Sequence, residues 1–259
     1  MRSILVLFIG LLACQTPTRV RENPPGVKLE DGALQTGTVL LDARPHLQYA
    51  AGHVPGAILV RWQDFPADQD FEKTARRLSW WGIHPDTSVL ILGLGAEGDG
   101  SEGRLLWLLR SLGLKNVRVE RETKVLGKRV LETPEPMAVP IWIPTLDDSR
   151  RVDRAEFSKL LRQPAVRRLD VRTAPERKAR PFYFSTTALE WTEFFKPEIQ
   201  NRLRSLGWSE RDRVVVLSDR GVRSAWVTEI LRDLGYGNAA NYAGGYSEWV
   251  SKKTAGGTP

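Results

Sequence analysis

The chain of 259 residues holds a single cysteine, Cys14, and only three histidines, His46, His53 and His84. One thiol cannot close an internal disulfide, so the fold must live on its core, which a chain of this length can supply. The histidines all fall in the first half, and no cluster of His, Cys and carboxylates stands at ligand spacing, so neither a metal site nor a cofactor is expected. No apolar run reaches bilayer-spanning length, the longest being residues 4–12. No run of Lys and Arg exceeds two or three residues, which argues against nucleic acid as a partner. The net charge of +7 instead favours small oxyanions, acidic groups or lipid headgroups. With 41% hydrophobic and 27% charged residues, disorder of the whole chain is excluded.

Arg2 followed by the apolar residues 4–12 is built like a secretory signal. The segment ends Leu11-Leu12-Ala13-Cys14, which resembles the lipobox of bacterial lipoproteins. That resemblance implies cleavage after residue 13, lipidation of Cys14, and a tether over residues 14–30. The expected location is the membrane face turned away from the cytoplasm. Gln15 is not the aspartate of an inner-membrane retention signal, which favours the outer membrane.

Beyond the tether the chain repeats itself. Leu41-Asp42-Ala43-Arg44 recurs as Leu169-Asp170-Val171-Arg172, and Leu109-Arg110-Ser111-Leu112-Gly113 recurs as Leu231-Arg232-Asp233-Leu234-Gly235, in the same order. So long a spacing marks a duplicated domain rather than a solenoid. The halves are placed at residues 31–130 and 149–252, joined by a proline-punctuated linker at 131–148. In each half, apolar runs such as Val89-Leu90-Ile91-Leu92 and Val214-Val215-Val216-Leu217 read as strands buried on both faces. Leu105, Leu108, Leu109 and Leu112, and likewise Val227, Ile230, Leu231 and Leu234, read as one buried face of a helix. The fold class is therefore α/β, with a mostly parallel sheet flanked by helices in each half.

Ligands bind such sheets beyond the carboxyl ends of the strands, and there the second half carries Ser218, Asp219, Arg220, Gly221, Val222 and Arg223 before a helix. A short loop entering a helix gathers backbone N–H groups around one point, an anion cradle that Arg220 and Arg223 reinforce and Asp219 partly offsets. A solvated turn with Ser218 or Ser224 capping the helix is the plainer alternative. Ser218 as an oxygen nucleophile would need a positioned base, and the second half has no histidine.

The loop resembles the Cys-x-x-Gly-x-Arg-Ser loop of rhodaneses, with Ser218 at the place of the nucleophilic cysteine. Leu41-Asp42-Ala43-Arg44, Gly52-His53-Val54-Pro55-Gly56-Ala57, Leu169-Asp170-Val171-Arg172, Trp191-Thr192-Glu193-Phe194-Phe195 and Gly244-Gly245-Tyr246-Ser247-Glu248-Trp249 are similar to signatures of the tandem-domain thiosulfate and 3-mercaptopyruvate sulfurtransferases. The second Gly-His-Ile-Pro-Gly-Ala survives only as Tyr183-Phe184-Ser185-Thr186-Thr187-Ala188. The resemblance implies two rhodanese-like domains, a supporting role for Asp170 and Arg172, and a fixed loop position for His53. Without a persulfide-forming cysteine it implies an inactive relative that keeps an anion-binding or interaction role. Sulfur transfer through an external nucleophile is the alternative.

Gly93-Leu94-Gly95-Ala96-Glu97-Gly98 matches Gly-x-Gly-x-x-Gly, with Glu120 near the distance of a ribose-binding acid. The next helix, however, is expected to start only about Arg104, so a surface loop without chemistry is favoured over a dinucleotide site. The tryptophans are expected in core or interdomain packing.

Overall fold

The computed structural model describes residues 28–30, 34–65 and 71–251. Cys14 and the apolar segment before it lie outside them. The first half contains β1 (Lys28–Leu29), β2 (Val39–Asp42), α1 (His46–Ala51), β3 (Ile58–Leu59), α2 (Phe71–Trp80), β4 (Val89–Gly93), α3 (Ser101–Ser111), β5 (Val117–Arg121) and β6 (Val125–Leu126). The second contains β7 (Arg151–Val152), α4 (Arg154–Leu160), β8 (Arg167–Asp170), α5 (Ala174–Ala179), β9 (Thr187–Ala188), α6 (Ile199–Ser205), β10 (Val214–Leu217), α7 (Val222–Asp233), β11 (Ala239–Tyr242) and α8 (Gly245–Ser251). Residues 131–147, between the halves, carry no helix or strand.

Strands β3-β2-β4-β5 form one parallel sheet and β9-β8-β10-β11-β7 the other. The repeat is exact in register: Asp42 lies opposite Leu92, and Asp170 opposite Leu217. Every residue of β4 and β10 is buried, as strands covered on both faces require. Lys28 and Leu29, assigned to the tether, instead pair with Leu126 and Val125 in a small antiparallel ribbon.

The helical periodicity understates what is buried. α3 is buried from Ser101 to Leu109, and α7 hides Ser224, Thr228 and Glu229 as well as its apolar stripe. Each helix lies between its own sheet and the other helix, so both sides are covered. A Cβ on Gly103 would stand 2.0 Å from the Trp226 ring, so this glycine lets the helices approach. The contact is also charged. Glu229, fully buried on α7, accepts from Arg110 of α3 at 2.9 Å and from Arg150 at 2.7 Å. Trp107 donates its indole N–H to the Arg150 carbonyl at 2.9 Å, and the Arg104 guanidinium lies over the Trp107 ring.

Candidate anion-binding cleft

β10 ends at Leu217, and Ser218 begins the turn into α7. The N-cap of α7 is Gly221, at φ 72°. A side chain is excluded there twice over, by the left-handed backbone and because a Cβ would fall 1.9 Å from the Ala243 carbonyl oxygen. That carbonyl and the Gly221 carbonyl, which accepts from Asn241 Nδ2 at 3.1 Å, lock the turn in place. The amides of the first turn of α7 have no acceptor within the helix and carry the positive end of its dipole.

Ser218 is 1% exposed, and its Oγ lies 2.8 Å from Ser224 Oγ. Neither serine caps the helix, since the cap is a glycine and Ser224 sits inside the first turn of α7. Among the described residues no histidine, lysine or carboxylate is bonded to the Ser218 hydroxyl, so nothing is positioned to remove its proton.

The cations of the loop are unequally engaged. Arg223 does not offer an open fork as the sequence suggested: its guanidinium clamps the Glu176 carboxylate at 2.7 and 2.8 Å. Glu176 also accepts from the Thr173 N–H and hydroxyl, closing the capping box of α5. Asp219 lies 2.7 Å from Arg180. Arg220 has no carboxylate partner among the described residues and rests over the Trp62 ring at 5.2 Å. Sequence order makes Arg223 the family-like position, but neutralisation by a carboxylate far along the chain leaves Arg220 as the available charge. The loop opens on a cleft of about 220 Å³ walled by Trp62, Trp191, Glu176 and Val222.

Asp170 and Arg172 lie beneath this cleft, not in it. Arg172 is fully buried, holds both Asp170 oxygens at 2.7 and 2.9 Å, and donates to the Arg180 carbonyl. Asp42 and Arg44 repeat the arrangement, with Gly52 as the carbonyl acceptor. This equivalence of Gly52 with Arg180 corrects the alignment of the entrance. The counterpart of residues 52–57 begins at Arg180 rather than Tyr183 and runs one residue longer before β9. His53 stacks on Tyr49 and has each ring nitrogen 3.1 Å from a backbone carbonyl oxygen, of Tyr49 and Glu132, a structural position.

The glycine-rich loop of the first half has more to do than was expected. Gly98 and Asp99 line the cleft beside Ser218, so the site is shared between the halves. α3 starts at Ser101, three residues earlier than its sequence suggests, because Gly100 supplies the left-handed N-cap that Gly221 supplies to α7. The first-half turn is already filled by a carboxyl side chain. Glu102 Oε1 accepts the Gly95 N–H at 2.7 Å, and a Cβ on Gly93 would stand 2.3 Å from the Glu102 carboxyl. Burial raises the pKa of Glu102, while the loop amides favour its charged form. A dinucleotide phosphate would have to displace this side chain. Asp99, Trp62 and Glu102 carry no signal that sequence periodicity could have revealed.

Glu176 allows a pH test. Its bonds to Arg223, and to a lesser degree those to Thr173, hold its folded pKa at about 2 against 4.5 for the free group. A depressed carboxylate stabilises the fold fully above 4.5 and loses that contribution as pH falls to about 2. Acid titration by denaturant melts is therefore expected to destabilise the wild type more steeply between those limits than Glu176→Gln, and equal slopes would refute the pairing.

Two parallel sheets in tandem, each feeding a strand into a turn and a helix, define a duplicated α/β architecture with one shared cleft. The Rhodanese-like domain model matches residues 28–121 and 153–252, and the chain belongs to that family. It is 25% identical over 251 residues to a thiosulfate sulfurtransferase of Pseudomonas aeruginosa, covering 82% of this chain and 87% of that one. It is 27% identical over 246 residues to the sulfur carrier protein TtuD of Thermus thermophilus, covering 78% and 84%. Among solved structures, a probable thiosulfate sulfurtransferase superposes with TM-score 0.65 at 24% identity, covering 85% of this chain and 97% of that one. An anaerobic ergothioneine biosynthesis enzyme from Chlorobium limicola, bound to trimethyl histidine, superposes with TM-score 0.70 at 17% identity. That match covers 86% of this chain but 65% of the enzyme. These superpositions establish the fold.

Proposed function

We propose that this protein is a rhodanese-fold binding module that holds a small oxyanion or an acidic partner group in the 218–223 cleft and does not itself carry sulfur. Ser218 stands where sulfur-transferring members of the family place a cysteine. The observation that carries the reading is the Ser218 hydroxyl, buried and, among the described residues, bonded only to Ser224, with no base beside it. A hydroxyl in this setting forms no persulfide. What the turn retains is its amides, the helix dipole and Arg220, and these suit an anion.

Calorimetric titration with sulfate, phosphate and thiosulfate tests this. Arg220→Gln is expected to weaken binding tenfold or more, the roughly 1.5 to 3 kcal/mol of a charge-assisted hydrogen bond. Turnover of thiosulfate and cyanide by the unaltered protein, or absence of any bound anion, would refute the proposal.

We further propose that Cys14 is lipidated and anchors the protein on the far side of a bacterial membrane, the outer membrane by preference. The lipobox-like sequence supports this. No helix among the described residues is long and apolar enough to cross a membrane. Cys14→Ala is expected to leave an unprocessed precursor, and recovery of unlipidated native protein from the cytoplasm would refute the anchor.

A further inference from the structure

A second polar cavity, of about 340 Å³, opens at the opposite end of the first sheet, where β2, β4 and β5 begin. Gln35, Thr38, Ser88, Lys115, Asn116 and Arg118 line it, so it holds two cations and no carboxylate. Among the described residues neither Lys115 nor Arg118 forms an ion pair, whereas Arg121, further along the same strand, is held by Glu97 at 2.6 Å. Ser88 donates to Gln35 Oε1 at 2.6 Å. That bond orients the Gln35 amide and leaves its NH2 donors free to face a ligand.

The second half differs at the same place. Val89 bonds the Asn116 carbonyl as Val214 bonds that of Asn238, so Ser88 corresponds to Arg213. The Arg213 guanidinium reaches across to the Asn238 carbonyl at 3.1 Å and takes Glu156 as its counter-ion. In the first half a small serine replaces that arginine, the counter-ion is absent from the lining, and Lys115 and Arg118 flank the opening. In one copy a partly exposed arginine, neutralised by Glu156, spans this end of the sheet; in the other a serine stands there and two cations have no ion-pair partner among the described residues.

We propose that this cavity is a phosphate-binding site, taking the group either as free phosphate or as a lipid headgroup. Tetrahedral oxyanions suit two cations with side-chain amide donors between them, and the volume admits a phosphate with a small substituent. The site is separate from the 218–223 cleft, which lies at the other ends of the strands.

The full chain, isotopically labelled, would be titrated with inorganic phosphate and, separately, with short-chain phosphatidylglycerol below its micelle concentration, following backbone amides by NMR. The Ser88 and Asn116 amides are expected to shift with at least one probe, and the arm that acts identifies the source. Lys115→Gln with Arg118→Gln is expected to weaken the effect at least tenfold. Ser88→Arg, which copies Arg213, is expected to abolish it, with the remaining amide spectrum showing that the fold persists. No shift with either probe, or shifts that survive Ser88→Arg, would overturn the proposal. The amides of residues 219–223 report on the cleft independently in the same spectra.

Discussion

Ser218→Cys is expected to produce a thiol that titrates near pH 7 rather than at about 8.5, and that takes up sulfur from thiosulfate. The replaced oxygen is at the carboxyl end of β10, facing the first turn of α7, where amides and dipole favour a thiolate. Arg223 and Asp219 both contribute little, because Glu176 neutralises the one and Arg180 the other. The pKa should therefore fall moderately rather than to the extreme values of helix-terminal thiols. The thiolate would attack the sulfane sulfur, breaking the S–S bond and releasing sulfite. Cyanide would then take the outer sulfur as thiocyanate and restore the thiolate. Alkylation rate against pH gives the pKa, and mass spectrometry detects the persulfide. A thiol that titrates at 8.5 or above would show that the turn is no anion cradle. A reactive thiol that forms no persulfide would place the block at the recast entrance, residues 180–186.

Glu229→Ala is expected to cost about 3 kcal/mol, the lower end for breaking a buried ion pair by removing one partner. Glu229 has no exposed surface, while Arg110 and Arg150 remain partly hydrated, at 22% and 17%, which limits the loss. The alanine variant would leave Arg110 with Asp233 and Arg150 with Asp147, both carboxylates at the surface, and two guanidinium groups without their shared buried partner at the contact between α3 and α7. For a chain of this size the loss corresponds to a fall in Tm of roughly 6 to 12 °C. Replacing Glu229, Arg110 and Arg150 together by leucine should recover most of it, because the penalty arises from stranded charge. A melt of the single variant within 2 °C of the wild type, a shift of about 1 kcal/mol or less, would show that the triad does not hold the halves together.

The duplicated organisation was readable because both of its signals are local. Leu41-Asp42-Ala43-Arg44 and its copy combine the end of a buried strand with an Asp-x-Arg pair that closes on itself within two residues, so neighbours in sequence are neighbours in space. The strand–turn–helix around Ser218 was readable for the same reason. The entrance was misaligned because its register follows the carbonyl that Arg172 selects, Arg180, and not any resemblance of side chains.

The sequence by itself determined the parallel α/β class, the two copies, the position of the 218–223 turn, and a serine with no histidine in its half. These follow from apolar runs, glycine placement and residue identity, which act over a few bonds. Only the tertiary structure decided which charges remain available. Glu176 reaches Arg223 across 47 residues, and Glu229 meets Arg110 across 119. Arg213 reaches the Asn238 carbonyl in one copy, where Ser88 of the other copy lines an open cavity. A charge is defined by its nearest opposite charge, and desolvation makes that pairing decisive, so the partner is chosen by packing across the whole chain.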